Sequence, residues 1–387
     1  MIPAFDHTVS IAAEARDQAQ AHLNSLFRRA ADHIERTAPG TALLVSGSIG
    51  RGEAAVTNRN GRWELGSDID FALVLPDGAD GTTTAQNLTD HLTRLYPQIT
   101  TTAWSLYRSD LPHARSHFAR DLALAASSPL TSTIGPATIP TPDLGPNDSL
   151  QVITHQLATY LMPGTEPEHR HDTDDHLLRK LLLETLRALA PAGADGCTRH
   201  ADILSAQARA QWGPVLPAAQ VEKLVTDREH GRPLGLSHDH AHHLFIRLIA
   251  RFLAPATGDL PDELQRLAPA ATDVMAAYQL ALLAYTGLLL TDDRARYATT
   301  LCLIWDRMGT TGLTDSTIDV IQTAKSVDPT AVAQLRPRQL SILAGAMWRL
   351  RDDYYRHLGA RMFGRPLLDT PYADLPLART ALAGAHQ

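Results

Sequence analysis

Ala42-Leu43-Leu44-Val45-Ser46-Gly47-Ser48-Ile49-Gly50-Arg51-Gly52-Glu53 and, further on, Gly66-Ser67-Asp68-Ile69-Asp70-Phe71-Ala72-Leu73-Val74-Leu75 decide how this chain is read. The first stretch is a short apolar strand that ends in a Gly/Ser turn. The second is an apolar strand opened by two acids at i and i+2. In a strand those side chains share a face and stand roughly 6.5–7 Å apart. Like charges in a sheet repel, and each is costly to bury without a partner or a metal. Two carboxylates so placed can hold a pair of divalent cations, a device of in-line phosphoryl chemistry. The turn offers backbone N–H groups unhindered by side chains, which suits a triphosphate.

The rest of the N-terminal part supplies elements around these strands. Residues 12–37 carry Ala19, Leu23, Leu26, Phe27, Ala30 and Ile34 at helical spacing, and Pro39-Gly40 stops the helix. Residues 57–64 read as an inserted loop or hairpin between the two motifs. A helix over 83–96, a strand over 99–107 and a helix over 111–126 follow. Residues 127–149 are rich in Pro and Thr and form no regular helix by this reading. Nearly everything after them carries helical periodicity: 150–161, 175–189, 200–212, 218–229, 240–253, 264–290, 292–308, 316–326 and 338–363.

The motif order Gly-Ser, then Gly50-Arg51-Gly52-Glu53, then Ser67-Asp68-Ile69-Asp70 with an apolar run resembles the DNA polymerase β-like nucleotidyltransferase superfamily, and the bacterial small nucleotidyltransferases within it. The resemblance covers about the first 130 residues and is specific only in the two motifs. It implies an α+β fold: an N-terminal nucleotidyltransferase domain with a mixed sheet over 1–128, a connection over 129–149, and a large all-helical domain over 150–387 with a sub-boundary near 254–262. It also implies transfer of a nucleoside monophosphate from a nucleoside triphosphate, ATP foremost, with release of pyrophosphate. Gly47 and Ser48 would hold the triphosphate, aided by Arg51 beside the turn and by Ser67. Asp68 and Asp70 would bind Mg²⁺ or Mn²⁺. Members often use a basic residue on a helix of the second domain, and Lys180 is that candidate; its alternative is a solvated helix face.

Two departures stand out. The gap between the motifs is longer than usual. The family's third carboxylate sits on a later strand, yet the strand over 99–107 has no acid. Asp110, Glu53, Glu64 and Asp121 are the alternatives. A nucleotide-binding regulator without catalysis, or an interaction protein on this scaffold, is the rival expectation.

Composition narrows the partners. The chain has 387 residues, 44% of them hydrophobic, and a net charge of −7. A protein gripping long nucleic acid usually shows a basic face, so a small-molecule or protein acceptor is expected instead. All the basic residues are Arg except Lys180, Lys223 and Lys325. Cys197 and Cys302 form neither a disulfide framework nor a zinc motif. The first residues lack a signal-peptide pattern, and the longest apolar run, 276–290, is too short to span a bilayer. A cytoplasmic protein without a membrane segment is expected. The cluster His238, Asp239, His240, His242 and His243 follows Ser237, which reads as a helix cap. His169-Arg170-His171-Asp172 reads as a polar loop.

Overall fold

The computed structural model describes residues 2–114, 116–131, 139–140, 145–161, 170–190, 198–310, 313–326, 328–334, 343, 345–347, 349–351, 353–354 and 357; side chains at 116, 118, 147, 170–174 and 332 are outside that description. The architecture is α+β, with a small mixed sheet in the N-terminal part and helices after it.

Strand β1 (Ala42–Ser46) is buried along its whole length. It pairs antiparallel with β4 (Ile69–Leu75), placing Ser46 opposite Asp70. Strand β5 (Thr101–Tyr107) pairs parallel with β4 on its other side and sets Thr102 opposite Asp70. The order β1-β4-β5 puts the acid-bearing strand in the centre. Asp68 lies just ahead of β4, so the acids straddle the strand's start and do not both sit within it.

Both sheet faces are covered. Helix α1 (Ala13–Thr37) buries Leu23, Leu26, Phe27, Ala30 and Ile34 against Phe71 and Leu73. The Gly/Ser turn winds into one helical turn, α2 (Gly47–Gly50). Helix α3 (Gly81–Leu95) is capped by Asp80, whose carboxylate accepts the Thr83 N–H at 3.0 Å. The opposite face carries α4 (Ser116–Ala126), with Leu122 and Ala119 packed on Ala72, Val74 and Trp104. The expected helix over 111–126 is divided, because Pro112 sits in a 3₁₀ stretch at Arg108–His113.

The insertion is a hairpin. β2 (Val56–Arg59) and β3 (Arg62–Leu65) pair antiparallel in a separate sheet. Asn60 (φ 53°) and Gly61 (φ 81°) form its turn with both central residues left-handed, as a two-residue hairpin of this hand requires.

Leu130 and Thr131 run along the edge of β1: the Leu130 N–H donates to the Leu43 carbonyl at 2.8 Å. Most of the rest of the 127–149 connection lies outside the described residues. Helix α5 (Pro146–Leu161) starts inside it, with Pro at the first helical position where its missing N–H costs nothing. The helical half continues through α6 (Arg170–Ala188), α7 (His200–Ile203), α8 (Ala206–Trp212), α9 (Ala218–Glu229), α10 (His238–Leu253), α11 (Leu260–Leu267), α12 (Val274–Leu290), α13 (Arg294–Arg307), α14 (Asp315–Lys325) and α15 (Pro329–Gln334).

Its core is continuous from Leu150 to Tyr354 and includes Trp212, Phe245, Tyr278 and Trp305. Two helices expected as single runs are broken by caps. The Ser205 hydroxyl accepts the Ala208 N–H and starts α8. Asp273 accepts the Met275 and Ala276 N–H groups and starts α12 after a 3₁₀ turn at Ala268–Thr272. The expected helix over 338–363 falls mostly outside the described residues. Among the described residues no helix is long and apolar enough to cross a membrane.

Buried carboxylates join the halves. Glu229, at the end of α9, accepts the Val9 N–H at 2.6 Å and the Ser10 N–H at 2.7 Å. Glu53 is fully buried and meets α6 and α7.

Candidate active site

A cleft of about 470 Å³ opens where α4, α5 and α6 face the ends of β1, β4 and β5. Gly47, Ser48, Arg51, Asp68, Asp70 and Lys180 all line it. Six of the seven site residues expected from the sequence therefore share one cavity, although Lys180 stands more than a hundred positions from the motif. Ser67 does not line it. It is buried, and its hydroxyl accepts the Ala55 N–H at 2.8 Å, which ties the start of the acidic motif to the loop after α2.

The chain turns tightly at Gly47. Its φ is +65°, and a Cβ there would stand 2.5 Å from Asp70 Oδ2. Glycine is what lets the turn and the carboxylate share this space. Neither Asp68 nor Asp70 makes a side-chain hydrogen bond or ion pair among the described residues. Burial, then repulsion from Asp68, raises the Asp70 carboxyl from 3.8 to about 6, with Lys180 and Arg51 opposing the rise. Both are half-buried, and two acids side by side with no side-chain partner among the described residues are unusual.

Lys180 projects from α6 and, among the described residues, is a cation of that wall without an ion-pair partner. His155 on α5 is driven down to about 4 by burial, with Lys180 and Arg351 adding to it. Burial also lowers His117 on α4. Both rings are neutral at pH 7 and present hydrogen-bonding groups to the cleft beside Ser149, Gln156 and Trp104.

Glu53 lies beneath the cleft-lining Arg51, Arg187, His200 and Arg228, fully buried. Its carboxylate accepts from Arg51 Nε at 3.0 Å, from an Arg187 terminal nitrogen and from the His200 N–H, while Arg228 donates to its backbone carbonyl. Burial opposes the Glu53 charge, but Arg187, His200, Arg51 and Arg228 hold its carboxyl well below the usual range. Burial pulls Arg228 down to about 10 against the attraction of Glu53.

The four candidates for a third carboxylate fall in different places. Asp110 is buried, and its Oδ2 accepts the Tyr107 N–H at 2.7 Å. Glu53 is enclosed by arginines, and Glu64 pairs with Arg59 on the hairpin at 3.6 Å. Asp121 alone among them lines the cleft, where Arg51 Nη1 holds it at 2.6 Å. On β5 the residue opposite Asp70 is Thr102, exposed to the cleft.

Sequence reading missed His117, His155, His176, Glu184, Arg187 and Arg228, all of which line the cleft. Two pairs had a usable signal: His117 with Asp121, and His176 with Lys180, stand at i, i+4 and so share a helix face.

The histidines of α10 are engaged within the fold. The Ser237 hydroxyl accepts the His240 N–H and caps α10, as expected. His238 Nε2 pairs with Asp175 at 2.7 Å, and His242 contacts the Tyr160 hydroxyl. Among the described residues no group of three or more His, Cys, Asp or Glu side chains is placed to hold a metal. His169 and Cys197, and the side chains of 170–172, lie outside the described residues; Cys302 is a half-buried thiol. Comparison with family models, with curated proteins and with solved structures finds no match.

Proposed function

We propose that this cleft binds a nucleoside triphosphate with a divalent cation and that the protein is a nucleotidyltransferase with a polymerase β-like N-terminal domain. The observation that carries this reading is the convergence on one cavity of Gly47-Ser48 with Asp68, Asp70 and Lys180, none of which has a side-chain partner among the described residues. The donor set fits Mg²⁺. That ion takes oxygen ligands and is commonly held by one or two carboxylates together with substrate phosphates, so a third protein ligand is not required. The raised Asp70 carboxyl is what a cation would correct.

In this reading Asp68 and Asp70 would hold the cation, which would supply charge neutralisation on the phosphate oxygens and on the attacking and leaving groups. The turn at Gly47 and the Ser48 hydroxyl meet the β- and γ-phosphates. Lys180 approaches from α6 and balances the charge that grows on the departing pyrophosphate. An acceptor hydroxyl oxygen adds to the α-phosphorus as the bond to the oxygen bridging to the β-phosphate breaks, its proton passing to cleft water and pyrophosphate departing. The neutral His117, His155, Ser149 and Gln156 offer the acceptor hydrogen bonds from the α4 and α5 wall. A small molecule or a protein side chain is the acceptor class, ATP the first donor to try, and the cytoplasm the compartment.

Calorimetric titration of the four ribonucleoside triphosphates with Mg²⁺ tests this against the variant Asp68→Asn, Asp70→Asn. Magnesium-dependent binding by the wild type, lost in the variant, is the expected result. No binding of any triphosphate by the wild type removes the proposal. Thr102, standing where β5 could have offered an acid to Asp70, favours a second reading: a nucleotide-binding regulator without transfer. Pyrophosphate release with any acceptor excludes it.

A further inference from the structure

Arg51 connects the phosphate turn to an ion chain that crosses the molecule. It closes α2, its N–H donating to the Gly47 carbonyl at 3.1 Å. Its side chain is held from two directions: Nε by Glu53 Oε2 at 3.0 Å and Nη1 by Asp121 Oδ2 at 2.6 Å. Beyond Glu53 the chain reaches Arg187, whose Nη1 donates to Glu184 at 3.0 Å. Charges therefore alternate along Asp121, Arg51, Glu53, Arg187 and Glu184, from α4 to α6. The centre is sealed, since the Glu53 side chain has 0% exposure; the two terminal acids line the cleft.

The links differ in how readily they part. Breaking Arg51 from Glu53 would take a partner from a carboxylate that has no access to water, which is unfavourable. Breaking Arg51 from Asp121 would not, because the Asp121 side chain keeps 28% exposure and can take up water. A guanidinium has donors to spare, and a phosphate matches its fork as well as a carboxylate does. Arg51 shares the cleft with Gly47, Ser48 and Asp70, so a polyphosphate seated there competes with Asp121 for it.

We propose that Arg51 is a shared cation: Asp121 holds it in the nucleotide-free protein, the donor's polyphosphate takes it, and donor binding thereby uncovers the Asp121 carboxylate for the acceptor. This rests on the reading of the cleft as a triphosphate site. It gives the reaction an order, donor before acceptor. It also gives the acceptor a chemistry, a hydroxyl or ammonium group that can donate to a carboxylate on the α4 wall.

The test is a double-mutant cycle on triphosphate affinity, measured by calorimetry with the four Mg²⁺–ribonucleoside triphosphates. If Asp121 competes for Arg51, Asp121→Asn binds the preferred triphosphate two- to tenfold more tightly than the wild type. Arg51→Gln binds it at least tenfold more weakly, and adding Asp121→Asn to that background changes nothing further. Circular dichroism checks that each variant is folded, and Asp121→Ser replaces the Asn variant if that one is not. Unchanged or weaker binding by folded Asp121→Asn overturns the inference. So does tightening that persists without Arg51, since that would be mere removal of a negative charge. Wild-type protein that binds no triphosphate brings down the nucleotide reading itself. Wild-type binding that is lost with Asp68→Asn, Asp70→Asn but indifferent to Asp121 brings down the shared cation alone.

Discussion

Replacing Asp70 by Asn should stabilise the ligand-free protein, the reverse of what removing a buried charged group with partners does. The Asp70 carboxyl titrates at about 6 in the fold against 3.8 for an ordinary aspartate in an unfolded chain, chiefly because burial and Asp68 disfavour its charge. The folded state thus holds the proton more tightly than the unfolded chain. Its penalty is absent below pH 3.8, grows as the pH rises toward 6, and is complete above that. One pKa step is about 1.4 kcal/mol, so the full difference is about 3 kcal/mol. Contact with cleft water makes that an upper limit, and a gain of about 1–2 kcal/mol for the uncharged, isosteric Asn is expected at pH 7.5. At roughly 2–4 °C per kcal/mol, Tm should rise by about 2–8 °C. The assay is thermal unfolding, followed by circular dichroism, of wild type and Asp70→Asn at pH 4 and pH 7.5, with and without Mg²⁺ and ATP. The two proteins should differ little at pH 4, and the variant should lead at pH 7.5 without ligand. Ligand should raise the wild type alone, by mass action on the folded state. An Asn variant no more stable than the wild type at pH 7.5 would refute the claim that Asp68 and Asp70 are an uncompensated pair.

Glu53→Gln should cost about 3–5 kcal/mol in urea unfolding, because Arg51, Arg187 and Arg228 would lose the charge that justifies their burial. Gly47→Ala should lose about 1–3 kcal/mol from its left-handed backbone, and triphosphate binding by calorimetry should vanish as the new methyl displaces Asp70. Lys180→Met should weaken triphosphate binding about tenfold, roughly 1.4 kcal/mol, while leaving Tm within a degree or so of wild type, since Lys180 makes no ion pair among the described residues. Wild-type binding should also decline as the pH falls through about 6, where Asp70 takes up its proton and ceases to attract a cation; titrations across pH 5–8 check this.

The N-terminal elements were legible because their signals are local. The periodicity of Leu23, Leu26, Phe27, Ala30 and Ile34 specifies α1, and unbroken apolar runs specify β1 and β4 as strands buried in a sheet. The Asn60-Gly61 pair marks the hairpin turn. Helix breaks were less legible. Apolar periodicity runs straight through Asp273 and Ser205, and only the capping hydrogen bonds reveal that the chain stops and restarts there. The motif half of the site was readable as well, since Gly47, Ser48, Asp68 and Asp70 sit in or beside two apolar strands that pair with each other. Glu53 was not readable as an anchor. Nothing in Gly50-Arg51-Gly52-Glu53 says that Arg187, His200 and Arg228, all far along the chain, converge on it.

That convergence explains why a short motif needs such a large helical partner. The turn and the two acids create a strongly negative, partly enclosed point, and by themselves they would repel a polyphosphate. Lys180 from α6 supplies a counter-charge, but only if α6 is fixed against β4. The apolar core of the helical half cannot fix it, because that core closes within itself from Leu150 to Tyr354. The joint is polar instead: Arg187 and Arg228 on Glu53, and Glu229 on the Val9 and Ser10 N–H groups. Buried polar contacts are directional, and each fails if its partner moves by an ångström or so. They fix the distance from Lys180 to Asp70 more sharply than sliding apolar surfaces would. On this reasoning the arginines around Glu53 act on the cleft through position, and weakening that joint should loosen triphosphate binding even where no ligand-facing residue has changed.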